Sequence, residues 1–284
     1  MQGLFKLDKE NKSFYKLLVS LCIPMIVQNL ISSSVNVVDT VMISSLGESS
    51  VASIGVANQF FFLFNMTLYG ITGGAGIFIS QFFGKKDVNN IRSVTGLSAL
   101  LAFLVSCLFF LPALIAPRLI INIFSHDPEV VKLCIEYFSI IAFSYPIIAI
   151  STVFSMGARS VRNPKLGMIC STIALGTNIA LNYGLILGNF GLPALGVKGA
   201  ALATVIARII ELVLIISYVY FIKKDYILRF NLKDVKRIKT EFLKTFVSKS
   251  LPIFLNDSLW AFGTVLYSVA YSQAGTSAIA ASQI

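Results

Sequence analysis

The sequence predicts an all-α membrane protein: a six-helix lobe, followed by the first helix, and the start of the next, of a second lobe that repeats it in parallel. Three observations lead there. Hydrophobic residues make up 56% of the 284 residues and charged residues only 13%, with a mean hydropathy of +0.81. A soluble domain carries about 25% charged residues, and a soluble chain of this length has far more exterior than so few charges can cover. A lipid-facing exterior removes that conflict. The second observation is a series of apolar runs long enough to span a bilayer, and the third is an internal repeat.

A transmembrane helix needs about 20 mostly apolar residues. Seven runs qualify, near 17–43, 51–82, 93–116, 131–157, 166–188, 196–222 and 246–273, and an eighth begins near Thr276. The first run is preceded by Lys6, Lys9, Lys12 and Lys16 and exceeds a signal-peptide core, so it reads as a span. The second contains Gly70, Gly73, Gly74 and Gly76, which predicts tilt, a local bend or close helix contact. That glycine cluster is no phosphate loop, because neither a preceding strand nor a following Gly-Lys-Ser/Thr accompanies it.

The net charge of +10 sorts by loop. The N-terminal tail and the loops after spans two, four and six hold eighteen cations, among them Lys85, Lys86, Arg92, Arg159, Arg162, Lys165, Lys224, Arg229 and Lys239. The alternate loops hold only Arg118, Lys132 and Lys198. This bias places the N-terminus in the cytoplasm and the protein in the inner membrane. It also accounts for the charge by contact with anionic lipid, with no nucleic acid required. The stretch 223–245, with Leu232, Val235, Ile238 and Phe242 among its charges, reads as an amphipathic cytoplasmic linker. It divides a first lobe, 1–222, from the start of a second, 246–284.

Shifting the chain by 228 residues superimposes 14–56 on 242–284 without a gap. Pro24 meets Pro252, Val37 meets Val265, Val41 meets Val269, Ser44 meets Ser272, Gly47 meets Gly275, Ser49 meets Ser277 and Ala52 meets Ala280. Common membrane composition does not readily hold a helix proline and an exit glycine in one register. Six spans separate the two starts, so both copies enter the membrane in the same direction. The second copy is expected to run about 200 residues beyond its start by this repeat length, which makes the chain a truncated form.

Ionisable residues inside spans are expensive and are functional candidates by default. Asp39 is the foremost, on one helical face with Ser32 and Asn36. Pro24 should kink the same helix, because it lacks an N–H. Asp39 either serves a cation or pairs silently with a neighbouring donor. Asn178 and Asn182 share a face of the fifth span, where their amide oxygens suit a small hard cation or their amides join helices. In the sixth span Arg208 and Glu211 are spaced to neutralise each other, leaving Thr204 as the site candidate. Asp257, five residues after Pro252, would give the second lobe its own polar centre. The run Phe60-Phe61-Phe62 with Phe64 faces either lipid or a pocket for flat cations. His126 lies in a polar loop, and Cys22, Cys107, Cys134 and Cys170 lack metal or redox spacing.

At these residues the chain resembles the multidrug and toxic compound extrusion (MATE) family. The resemblance rests on Val38-Asp39-Thr40, Leu46-Gly47 with the small residues from Ser50 to Ala57, and Arg162-Asn163-Pro164-Lys165. It continues through Asn178 to Asn182, Gly199 to Thr204, and Leu251-Pro252 with Asn256-Asp257-Ser258-Leu259-Trp260. Many relatives carry Glu at the Asp257 position, and some carry Asp at Asn182. The resemblance implies two six-helix lobes around a V-shaped cavity, and export of cationic, often aromatic compounds by alternating access. It implies Na⁺ or H⁺ as the driving ion, bound by Asp39, Asn178, Asn182 and Thr204, with Pro24 as a conformational hinge. No cofactor beyond the coupling ion is expected, and the full-length protein is expected to be a monomer. Two alternatives remain. Flipping of lipid-linked glycans would favour a cluster of Arg and Lys within the spans, which the sequence lacks. An intramembrane enzyme would need a catalytic set, which Asp39 and Asp257 alone do not make.

Overall fold

The computed structural model describes residues 9–223, 225–238 and 240–272, and these fold almost wholly into helices. In chain order they are α1 (Lys9–Ser44), α2 (Glu48–Gly84), α3 (Val88–Ile115), α4 (Pro117–Ile121), α5 (Pro128–Ile141), α6 (Ser144–Ser160), α7 (Pro164–Leu185), α8 (Val197–Ser217), α9 (Leu232–Lys236) and α10 (Thr240–Ser272). A π-helical turn, Tyr218–Ile222, extends α8. The eighth expected span, near Thr276, and the partners Gly275, Ser277 and Ala280 lie outside the described residues, as do Lys6, Lys224, Lys239 and the side chains of Lys9 and Asn36.

Local signals set the helix starts. Asp87 caps α3 by accepting from the Asn90 N–H at 3.1 Å. Asp127 caps α5 by accepting from the Glu129 N–H at 2.9 Å, and Pro128 begins that helix where a missing N–H costs nothing. Pro164 opens α7 in the same way. The segment Arg162-Asn163 before it makes the turn from α6: Arg162 adopts φ 60°, and Asn163 donates through Nδ2 to the Tyr226 hydroxyl at 2.9 Å.

Among the described residues five segments are long and apolar enough to cross a membrane: Phe14–Ser44, Glu48–Gly84, Val88–Ile115, Pro164–Leu185 and Val197–Ile222. The span expected near 131–157 is broken. Helices α5 and α6 meet at a bend of 52°, and count as a sixth span if taken together. Pro146 supplies the cause, since it can give no N–H to the carbonyl of Ala142, four residues earlier, and its ring crowds that carbonyl. The seventh expected run is present as α10, a helix of 33 residues. Asn256, Asp257 and Ser258 interrupt its apolar surface, and it falls short of the composition that marks the other spans. By contrast α1 stays helical through Pro24.

Two apolar cores hold the lobe. One is centred on Phe64, Phe138 and Tyr145, where α2, α5 and α6 meet. The other gathers Phe78, Phe154, Tyr226, Leu228 and Phe246. Phe60 and Phe64 belong to the first core, Phe60 contacting Phe138 edge-on at 5.7 Å. The outer face of α3 carries Leu104, Leu108 and Ile115 exposed, the pattern of a lipid-facing surface. Helix α10 lies along the glycine cluster of α2. A Cβ at Gly70 would sit 2.6 Å from the Phe254 Cα, and one at Gly74 would collide with the Ser250 side chain. Those glycines therefore serve close helix contact, and α2 remains one continuous helix.

The stretch expected as one amphipathic helix is broken, and its last part, from Thr240 on, already belongs to α10. Ahead of that, only Leu232–Lys236 forms a short helix, closed by a capping box between Asn231 and Asp234. The residues before it turn inward instead: Tyr226 and Leu228 are buried, and Phe230 stacks on Phe154 at 6.0 Å. Gly157 and Gly96 make room, with Leu228 packed over the first and Val235 over the second. Ser93 fixes the short helix by donating to the Asp234 carbonyl at 2.8 Å.

Candidate functional site

Helices α1, α7 and α8 converge on Asp39, whose residue is only 8% exposed. Four groups close a ring there. Asn182 Nδ2 donates to Asp39 Oδ1 and also to Asn178 Oδ1, the latter at 3.1 Å. Asn178 Nδ2 donates to Thr204 Oγ1 at 3.2 Å. Thr204 Oγ1 in turn donates to Asp39 Oδ2 at 3.5 Å. The four-residue spacing of Asn178 and Asn182 and the close approach of α7 to α8 bring these groups together. That approach depends on Gly199, where any Cβ would collide with the Leu185 carbonyl.

One atom of the ring is left over. Asn182 Oδ1 is buried and finds no hydrogen-bond partner among the described residues, which costs about 1–3 kcal/mol for a neutral acceptor. Among the described residues no cationic side chain lies within 4 Å of Asp39. Beside the carboxylate is a small cavity of about 30 Å³, bounded by Asn58, Phe61, Tyr137, Tyr145, Thr204 and Arg208. That is room for a water molecule or an ion of similar size. The donor set of one carboxylate, two amide oxygens and a hydroxyl matches the oxygen preference of a small hard cation. No grouping of three or more His, Cys, Asp or Glu side chains suited to a metal occurs among the described residues.

A cavity of about 850 Å³ lies alongside, chiefly between α1, α2 and α6. It takes in Ser32, Asn58, Asn65, Phe61, Phe62 and Tyr69, and shares Asn58, Phe61 and Arg208 with the small cavity at Asp39. Phe61 and Phe62 thus face a pocket. A second polar chain runs along its wall. Arg159 donates through Nε and Nη2 to Gln28 Oε1, at 3.2 and 2.8 Å. Gln28 Nε2 donates to Ser171 Oγ at 3.3 Å, and Ser171 donates to Glu211 Oε1 at 2.7 Å. Arg208 closes the chain on Glu211 Oε2 at 2.9 Å, the intrahelical pair expected from their spacing.

Pro24 lies one turn before Gln28 on α1, and leaves the Ser20 carbonyl without its helical donor. Asp257 is not part of either cavity; its Oδ1 accepts from the adjoining Asn256 Nδ2 at 3.2 Å. Sequence reasoning missed Gln28, Tyr137 and Ser171, and it counted Arg159 among loop cations. Arg159 instead occupies the last turn of α6 and faces the cavity. A signal for Gln28 existed, since it precedes Ser32 by four residues and extends the polar face that leads to Asp39.

The MatE family model matches residues 24–184, more than half of the chain. The probable multidrug resistance protein NorM of Thermotoga maritima is 27% identical over 99% of this chain and 61% of its own length. The multidrug export protein MepA of Staphylococcus aureus is also 27% identical, over 95% of this chain and 59% of its own. A solved inward-facing multidrug resistance transporter of the MATE family superimposes with a TM-score of 0.78 at 25% identity, covering 94% of this chain and 60% of that one. The chain thus spans about 60% of the length of the curated relatives it matches.

Proposed function

The chain belongs to the MatE family, whose members are multi-pass membrane transporters and not enzymes, and from that premise we propose that it forms the first lobe of a cation-coupled antiporter. In this reading residues 1–222 are the lobe, 223–245 a linker and 246–284 the start of a second lobe. Its cargo is cationic, often aromatic compounds, moved outward across the cytoplasmic membrane in exchange for Na⁺ or H⁺. The N-terminus is cytoplasmic, and the working unit is a monomer in lipid.

The observation that carries the proposal is Asn182 Oδ1, without a hydrogen-bond partner among the described residues, beside a buried carboxylate with no cationic side chain within 4 Å among them. A cation bound to Asp39 would neutralise the carboxylate, and rotation of the Asn182 amide would give its oxygen a partner. Asn178 and Thr204 would supply the remaining neutral oxygens. With its charge cancelled, Asp39 favours the helix arrangement in which it is dry, and bending at Pro24 reshapes the adjoining cavity. The ion can drive this only by binding one arrangement more tightly than the other.

The test is efflux of an ethidium-type dye from vesicles containing the full-length protein, with Na⁺ and pH gradients imposed separately. One gradient should drive efflux, and Asp39→Asn should lower the driven rate at least about tenfold, the loss of roughly 1.4 kcal/mol of coupling. Undiminished driven efflux by the variant, or a response to neither gradient, would refute the proposal.

A further inference from the structure

The large cavity carries three charged groups among its lining residues: Arg159, Arg208 and Glu211. Arg208 and Glu211 neutralise each other at 2.9 Å. Arg159 has no such partner. Among the described residues no acidic group lies within 4 Å of it, and its hydrogen bonds go to one neutral amide oxygen. The described wall of the cavity is therefore net positive, although the substrates proposed above are cationic.

The guanidinium is also held in place. Gln28, 4% exposed, receives two of its N–H groups on one oxygen and is itself fixed by Ser171. Gly167 leaves space for that amide, since a Cβ there would lie 2.7 Å from Gln28 Nε2. A positioned arginine fork whose other N–H groups meet no hydrogen-bond partner among the described residues suits a planar carboxylate. Tyr69, Phe61 and Phe62 supply aromatic surface in the same cavity. Its volume of about 850 Å³ fits a drug-sized molecule.

We infer that Arg159 is a subsite for the carboxylate of an aromatic solute, so that among cationic aromatic compounds the cavity favours those that also carry a carboxylate over those that do not. This rests on the reading of the cavity as the substrate path, but not on ion coupling.

The test compares three fluorescent probes that share one ring system: a dansyl derivative bearing a quaternary ammonium and a carboxylate (the zwitterion), the same derivative without the carboxylate (the ammonium probe) and dansylamide (neutral). Each is titrated into the purified protein in neutral detergent, with no ion gradient. The zwitterion should bind about tenfold more tightly than the ammonium probe, the size expected of a charge-assisted hydrogen bond. Arg159→Gln should abolish that preference while changing dansylamide binding less than about twofold. Arg159→Lys, which keeps the charge but not the fork, should retain part of it. A preference for the ammonium probe, an equal loss for all three probes in Arg159→Gln, or binding of none of them would overturn the inference. Because binding is read without gradients, it can fail while gradient-driven efflux succeeds, and the reverse.

Discussion

Asn182 donates twice through one nitrogen and leaves its oxygen unpaired, so it is the residue at which the Asp39 ring is least satisfied. Replacing it with Leu would leave Asp39 short of its shortest hydrogen bond while the carboxylate stays buried. Hydrogen bonds to charged groups are worth about 1.5–3 kcal/mol, so Asn182→Leu should lower unfolding stability by about that amount in a thermal or denaturant melt in detergent. Asn182→Asp places a second carboxylate against the first, and should be tolerated only where a cation or a proton is available to separate them. The ring residues were all legible in the sequence, because polar residues at helical spacing inside apolar runs stand out. Arg159 was not, and neither was its contact with Gln28. That contact joins positions 131 residues apart, and a cation near a span end is indistinguishable in sequence from a topology signal.

At the scale of elements, the seam between α2 and α10 depends on side chains that are absent. Gly74→Val forces a branched side chain into the space held by Ser250, and overpacking of this kind costs about 1–3 kcal/mol. Limited proteolysis should then cut the chain between α9 and α10 faster than in the parent protein. The packing of the segment before α9 can be tested separately: Leu228 is fully buried, and Leu228→Ala should destabilise the lobe by about 2–5 kcal/mol in a melt. Span positions were readable because lipid imposes a continuous apolar length on each helix. The bend between α5 and α6 was missed although Pro146 stood in plain view, because an apolar run reads the same whether straight or broken. The part of the segment 223–245 that precedes α10 misled for another reason. Charges alternating with Leu, Val and Phe fit a surface helix, and nothing local shows that Gly96 and Gly157 leave sockets for those side chains.

For the whole molecule, a lobe with this much exposed apolar surface, from Leu108 to Ile115 and from Leu259 to Tyr267, belongs in lipid. Its function turns on whether the buried ring at Asp39 holds an ion. The most direct measurement is the melting temperature of the purified protein as Na⁺ replaces choline at constant ionic strength and pH, repeated with pH varied in the absence of Na⁺. A ligand that binds only the folded state raises that temperature, and once its concentration exceeds Kd the rise grows with the logarithm of that concentration. The account predicts a rise of several degrees with Na⁺ or with protons, abolished in Asp39→Asn while the variant remains folded. An identical rise in Asp39→Asn, or none in the parent protein under either titration, would contradict it.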